Sequence, residues 1–505
     1  MTQDPTPVFE QHGIESIPDR DRTASVFDFA RLCWGGANSL ATAVLGAFPI
    51  MFGLSFWQST SAILIGVLLG SLVLAPMSLF GPLNGTNNAV SSSAHFGVVG
   101  RIVGSFLSLL TAVAFFSISV WSAGDAVVGA AHALFEVPEA EGMFALAYGV
   151  FAASILIVCI YGFRLMLLVN KIAVVASSLL FALGVIAFWT AFDANFAGAG
   201  LKMGSSAFWP PFVSASLVAL SNPISFGAFL GDWSRYLPRS TPRATLMGAT
   251  ILAQLATLLP FLFGTMTATL IAEHAPKYLE KVDYTGGLLA VAPAWFFGPL
   301  FVLALLSGMS TGTTSLYGTG LDFSSVIPRL SRPKSTLLIG CIAIALVFVG
   351  RFYFTLVSSI TTFVTLIVVT TTPWMVIMAL GYLFRRGFYI PDAMQVFNRG
   401  MQGGPYWFRG GWNLPAMAAW VISACIALLT VNIPDHWVGW LGRFAGGVDV
   451  SLLVAVVLPT LLYPALLFSW PEPRGVYGPR GPRIVPAVET PIAPVRRVLP
   501  SRAHK

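Results

Sequence analysis

Residues 246–270 read LMGATILAQLATLLPFLFGTMTATL, twenty-five positions without one ionisable side chain. In hydrocarbon a helix satisfies its own backbone hydrogen bonds, and about 20 residues suffice to cross. The stretch therefore reads as a membrane-spanning helix, and the same reading repeats along the chain. Twelve candidate spans fall near 28–52, 57–80, 101–131, 144–161, 166–190, 209–230, 245–272, 288–316, 335–350, 354–383, 414–431 and 450–470. Apolar residues make up 56% of the chain and charged residues 10%, the charges lying mostly between the apolar runs. The expected fold class is an all-α polytopic membrane protein.

Lysine and arginine in the loops set the orientation. Of 28 such residues, only Lys202, Lys277, Lys281, Arg351 and Arg443 fall on one side. The other 23 lie in both tails and the alternate loops, so that side is expected to be cytoplasmic, with both termini inside a plasma (inner) membrane. Glu136, Glu139, Glu141, Glu273, Glu280 and Asp283 then lie outside. The net charge of +7 follows from this asymmetry. The partner it implies is the lipid bilayer, not nucleic acid. Cys33, Cys159, Cys341 and Cys425 all sit inside spans and read as small buried residues, not as a disulfide or metal set. No basic stretch leads into a short apolar core at the start, which argues against a cleaved leader. Residues 1–27 and 471–505 read as solvated, disordered cytoplasmic tails, the second rich in Pro, Gly and Arg. Residues 81–100 are too polar to face lipid and read as a short re-entrant piece packed on the bundle.

Two spans carry helix breakers at mid-membrane depth. Span 1 contains Trp34-Gly35-Gly36-Ala37-Asn38-Ser39, and span 6 contains Ser221-Asn222-Pro223-Ile224-Ser225. Proline removes a backbone donor and glycine loosens a helix. A single glycine here would mean only close helix packing. Matching interruptions five spans apart point to an inverted-repeat transporter, with its site at the breaks. Spans 3 and 8 are the next pair at that offset. Span 8 runs Ser307-Gly308-Met309-Ser310-Thr311-Gly312-Thr313-Thr314-Ser315. Hydroxyls and freed carbonyls are hard oxygen ligands suited to a small cation such as sodium. One or two such hydroxyls would bond back to their own helix; six in one stretch suggest a site.

The stretch HGIESIPDRDR (12–22) and the one from Trp34 to Asn38 resemble the purine–cytosine permease branch of the nucleobase–cation symporter family. So do GAFLGDWSRYLP (227–238) and SLYGTGLDF (315–323). The resemblance implies a leucine-transporter-like five-plus-five inverted repeat plus two peripheral spans. The first repeat would occupy 28–191, the second 205–383, and the peripheral spans 414–470. It places a stacking aromatic on Phe115, where many relatives have Trp, and a base-binding polar group on Ser119. In span 6 it points to Asn222 and Ser225, with Pro223 where relatives often carry an aromatic. Cation ligands fall on Ser307, Ser310 and Thr311, joined by carbonyls near Gly36 and Ser39. A substrate-binding Asn of some relatives falls on Gly312; Thr313, Ser315 or Asn38 could replace its hydrogen bond.

The chemistry agrees with the resemblance. A nucleobase is flat and neutral, so an aromatic face stacks on it for about 1–3 kcal/mol and amides or hydroxyls read its edge. Asp125, four residues after Trp121 in span 3, is an intramembrane carboxylate and a candidate coupling or gating group. Asp232 and Arg235 at the inner end of span 6 suit a gate or a structural ion pair. Gly308-Met309-Ser310-Thr311-Gly312 fits the hydrolase pattern G-x-S-x-G, but no strand precedes it. All six histidines lie in tails, loops or span ends, so the serine has no base nearby. No phosphate-binding loop is present, and no repeated filter loops indicate a channel. The expected function is secondary transport of a nucleobase-like solute by cation symport, without an organic cofactor and not as an enzyme. Ureides of the allantoin or hydantoin type and pyrimidine vitamin precursors remain open as substrates, as do sodium and protons as the coupling cation.

Overall fold

The computed structural model describes residues 13–327, 330–353, 356–433 and 437–497. Asp4, Glu10, His12, Arg329, His436, Arg502, His504 and Lys505 lie outside the described residues. The first span begins with a reciprocal cap. Ser25 Oγ accepts the amide of Asp28, and the Asp28 carboxylate accepts that of Ser25, starting α1 (Val26–Ala37). The helix stops at Asn38 and Ser39, where ψ swings to 69° and 164°, and α2 (Leu40–Met51) begins. The Thr42 hydroxyl donates to the Ala37 carbonyl at 2.5 Å, filling an acceptor left at the helix end.

After α3 (Phe56–Leu74) the chain folds into α4 (Phe80–Asn84), α5 (Asn88–Ser91) and α6 (Ser93–Phe96). These short pieces are buried almost throughout, as the reading of 81–100 required. There follow α7 (Ile102–Phe135), α8 (Glu141–Tyr161) and α9 (Phe163–Trp189). The second break needs correcting. Helix α10 (Trp209–Ser225) passes through Asn222 and Pro223 and ends only at Ser225. Residues 226–229 turn, and α11 (Leu230–Ser234) follows. Proline denies a donor to the carbonyl one turn back, so the helix weakens at Pro223 but parts just after it.

The stretch 246–270 is itself divided between α12 (Arg243–Leu255) and α13 (Leu258–His274), parting just before Pro260. Beyond α14 (Pro276–Glu280) and α15 (Tyr284–Val291) runs α16 (Phe297–Val326). It lies about ten residues further along than span 8 was expected, so Tyr317 and Asp322 are inside the membrane helix. The chain continues through α17 (Arg332–Tyr353), α18 (Leu356–Phe384), α19 (Pro391–Met394), α20 (Leu414–Thr430) and α21 (Ser451–Ser469). Ten stretches among the described residues are long and apolar enough to cross a membrane, and α2 and α20 are shorter apolar helices. Each of the twelve expected spans has its helix.

Packing sorts the helices into two groups. The split α1–α2, α3, α10–α11 and α12–α13 form a bundle; α7, α8, α16 and α17 form a frame; α9 and α18 touch both. The helices of the bundle are closely packed. A Cβ on Gly46 would sit 2.0 Å from the Phe261 carbonyl, and one on Gly264 would sit 1.9 Å from that of Ala43. Helices α20 and α21 pack on α18 at the periphery. Leu64, Leu68 and Leu72 of α3 and Ile172, Val175 and Leu179 of α9 are exposed, as a lipid-facing side requires.

The tails are not solvated strings where the structure describes them. Ile14 and Ile17 are buried. The Ile17 amide donates to Gly85 O at 2.9 Å, and the Arg22 guanidinium donates to Ile17 O and Pro82 O, each at 2.8 Å. At the other end Glu472 is buried against Arg385 at 2.7 Å, and residues 472–473 pair with 487–488. Composition favoured solvent; a few apolar anchors and one buried ion pair decide otherwise.

Candidate functional site

The two breaks meet. A Cβ on Gly36 would lie 2.8 Å from the Phe226 ring and 3.3 Å from Thr314 Oγ1. Only glycine lets α1, the turn after α10 and the polar face of α16 come so close. Gly35, next to it, presses on α9 and α16: its Cβ would fall 2.1 Å from Asn170 Nδ2 and 2.8 Å from Ser310 Oγ. Ser310 Oγ donates to the Gly35 carbonyl at 3.0 Å and accepts from Asn170 Nδ2 at 3.0 Å. Asn38 turns its amide to Ser177 and Ser178 of α9, at 2.9 and 2.8 Å. The first break is thus pinned by side chains from two neighbouring helices.

Around this crossing several buried polar atoms have no hydrogen-bond partner. They are Ser39 Oγ, Ser307 Oγ, Thr311 Oγ1, Asn38 Oδ1 and Asn222 Nδ2. Buried polar groups are normally satisfied, so such a group of orphans is what a ligand-binding site leaves behind. Three of them are hydroxyls, on Ser39 of the α1–α2 break and on Ser307 and Thr311 of α16. Positions 307, 310, 311 and 314 share one face of the helix. That donor set, all hard oxygen, fits a small cation. Among the described residues no cluster of His, Cys, Asp and Glu could hold a metal ion.

The residues assigned to substrate fare unequally. Asn222 is buried with a free amide nitrogen, next to the second break. Phe115 is half-buried and edge-on to Phe363, with ring centroids 5.8 Å apart. Ser119 donates to the Gly308 carbonyl at 3.1 Å, which ties α7 to α16. Ser225 donates to its own helix at Asn222 O, 2.6 Å away, so its hydroxyl is spent locally. Gly312 is corrected outright. A Cβ there would strike Ile155 of α8 at 2.3 Å, on the face of α16 opposite Ser310, so this position looks away from the break. Thr313 likewise bonds back to Met309 O at 2.7 Å. Phe226 was missed, although an aromatic directly after a Pro-containing helix end was its signal.

The two ends of the bundle differ. At the end carrying Glu139 and Asp283, a cavity of about 850 Å³ opens between bundle and frame, lined by Trp121, Asp125, Tyr284 and Arg351. Asp125 is therefore on a vestibule wall. It accepts from the Tyr148 hydroxyl, which accepts from Arg351 Nε at 3.2 Å. The basic end is closed. Tyr236, beside α11, meets Tyr317 of α16 at 3.1 Å between hydroxyls, and Phe163 stacks on Tyr236 with centroids 4.0 Å apart. Arg235 donates to Tyr236 at 3.0 Å and to the Gly13 carbonyl at 2.5 Å, drawing the N-terminal segment over the seam. Asp232 is fully buried, its carboxylate against Gly318 of α16.

A family model described as a permease for cytosine/purines, uracil, thiamine and allantoin matches residues 16–454. The chain belongs to this permease family. It is 24% identical over 480 residues to a putative purine-cytosine permease of Bacillus subtilis, YxlA, covering 91% of this chain and 96% of that protein. It is 26% identical over 348 residues to the vitamin B6 transporter TPN1 of Saccharomyces cerevisiae, covering 63% of this chain and 57% of that one. Among solved structures it is similar to Mhp1, a nucleobase-cation-symport-1 family transporter, closed around bromovinylhydantoin. There the TM-score is 0.71 at 18% identity, over 92% of this chain and 96% of that one. A sodium-coupled sialic acid symporter in an outward-open state matches with a TM-score of 0.55 at 13% identity, over 88% and 91%. The permease thus has the leucine-transporter-like fold; it is a multi-pass membrane transporter, not an enzyme.

Proposed function

We propose that this permease carries a small flat heterocycle of the nucleobase type into the cell together with a cation, by alternating access. The observation that carries the reading is the contact of the two helix breaks at Gly36 and Phe226, ringed by unpartnered buried hydroxyls. In this reading sodium is held by Ser39, Ser307, Ser310 and Thr311 with the carbonyl of Gly36. The heterocycle lies beside it, against Phe226 or Phe115, with Asn222 reading its edge. The basic end faces the cytoplasm of a plasma-membrane protein, and both termini are inside. An open acidic end over a closed basic end supports alternating access over a channel.

Ureides and pyridine or pyrimidine vitamin precursors are the second reading. The likeness to a vitamin B6 transporter and to a hydantoin-bound symporter favours keeping them in view. Uptake of labelled cytosine, uracil, hypoxanthine, allantoin, hydantoin and pyridoxine into proteoliposomes tests both readings. One compound should accumulate saturably, and only under an inward sodium gradient. Equal, non-saturating entry of all of them, or none with any gradient, contradicts symport.

A further inference from the structure

At the basic end, away from the helix breaks, a cavity of about 380 Å³ lies where the two peripheral helices reach the edge of the membrane. Leu414 and Pro415 at the start of α20 and Ser469 and Trp470 at the end of α21 form one wall. A hairpin at 407–412 forms the second, and Pro491 and Ile492 of the C-terminal segment form the third. The hairpin is firmly held. The Arg409 amide donates to Trp412 O and the Trp412 amide to Arg409 O, both at 3.1 Å, and the amides of Val99 and Gly100 donate to Gly411 O at 2.9 and 3.2 Å. Phe408 sits in the hairpin at a φ of 41°, a left-handed conformation that a bulky side chain adopts only where its surroundings impose it.

Two charged side chains line the cavity, Arg409 and Glu472. Glu472 is buried and already bonded to Arg385 at 2.7 Å and to Asn413 at 2.6 Å. Arg409 is exposed, and no carboxylate of the described residues pairs with it. Exposed Arg496 and Arg497 follow closely on the third wall and add to the positive potential there. Trp407, Trp412 and Trp470 also line the cavity, and no acceptor among the described residues takes their indole N–H groups. Tryptophan gathers at the membrane–water boundary because its ring is apolar and its N–H polar. Exposed apolar side chains lead from the cavity along both helices: Leu414 and Val421 on α20, and Leu453, Val457, Leu461 and Phe468 on α21. Spacings of four and seven put each set on one helix face.

We propose that this cavity binds one anionic phospholipid of the leaflet at the basic end. Its phosphate lies against Arg409 and the tryptophan N–H groups, and its acyl chains lie along the exposed faces of α20 and α21. A basic pocket at the ends of membrane helices suits an anionic head group, and the apolar faces supply what a free phosphate cannot use. The three walls come from separate parts of the chain, so the bound lipid fastens the hairpin, the helix ends and the C-terminal segment to one another. The inference rests on the membrane placement of α20 and α21, not on the transport reading.

Native mass spectrometry of the delipidated full-length protein counts bound lipids without substrate or gradient, so its failure leaves the uptake reading standing. Phosphatidylglycerol should bind as one tight copy, about tenfold tighter than phosphatidylcholine with the same chains. Arg409→Gln should weaken phosphatidylglycerol roughly fivefold, the contribution of one arginine near an anionic surface, and leave phosphatidylcholine unchanged. Arg443→Gln, at an exposed arginine of the opposite end, should change neither. Circular dichroism on the same samples reports folding. A photoactivatable phosphatidylglycerol should cross-link the wild type within 404–415 or 488–493, which locates the site without any substitution. Equal affinity for the two lipids, meaning bulk lipid contact only, would overturn the proposal. So would unchanged affinity in folded Arg409→Gln, cross-links elsewhere, or displacement of the lipid by glycerol phosphate as readily as by phosphatidylglycerol.

Discussion

Thr311 separates a cation site from ordinary packing. Its hydroxyl is buried and unpartnered, whereas Thr314, one turn on, returns its proton to Ser310 O at 2.8 Å. Thr311→Val keeps the shape and removes the oxygen. It should abolish the sodium dependence of uptake while leaving the folded protein's melting temperature within about 1 °C in sodium-free buffer, the usual small effect of a substitution that breaks no bond. Asn222→Ala should weaken ligand binding roughly ten- to hundredfold, the range for losing a hydrogen bond to a buried partner; a titration of the purified protein measures it. The sequence pointed to both residues because a polar group at membrane depth stands out against apolar neighbours. Gly312 and Ser225 looked equally suitable, yet a residue's place on a helix does not say which way the helix is rotated. Phe226 escaped notice among 39 phenylalanines.

At the scale of elements, both breaks were legible as breaks, and their positions less so. Span 1 parts at Asn38-Ser39, inside the stretch that named it. Span 6 parts after Ser225, since proline weakens the hydrogen bond behind it and the helix carries on for a few residues. Span 8 was expected to end near 316, but the helix runs to Val326, its polar residues there packed inside protein. That misplacement hid Asp322. The tails were misread for a similar reason: composition cannot reveal Arg385 bonded to Glu472 with both side chains at most 1% exposed. Breaking a buried pair from one side costs about 3–5 kcal/mol. Glu472→Gln should therefore lower the melting temperature more than the double variant Arg385→Met with Glu472→Met, which buries no lone charge.

The same cluster gives the element that carries it a pH dependence. Arg385 Nη1 donates to His95 Nδ1 at 2.7 Å, so the imidazole carries its proton on Nε2, facing Tyr389 at 3.1 Å. Burial, then the Arg385 charge, holds His95 well below its ordinary value of 6.5. The unfolded chain takes the proton first, so this contribution is full above about pH 6.5 and drains away as the pH falls. Thermal unfolding should show a melting temperature that drops from about pH 7 to pH 5. His95→Gln, which keeps one acceptor and one donor, should flatten that slope.

On the scale of the whole molecule, two bodies meet along one seam. The bundle and the frame part at the acidic end around an 850 Å³ cavity and close at the basic end through Tyr236 and Tyr317. In the proposed alternating access only one end is open at a time. Transport then requires that ion and solute stabilise the same arrangement, and such coupling is reciprocal. The most direct measurement is the affinity of the purified protein for its transported heterocycle, by calorimetric titration with and without sodium. Sodium should tighten binding by about ten- to hundredfold, a coupling of roughly 1–3 kcal/mol, and Thr311→Val should remove that gain while keeping the sodium-free affinity. Equal affinity with and without sodium in the wild type would contradict a shared site at the two helix breaks.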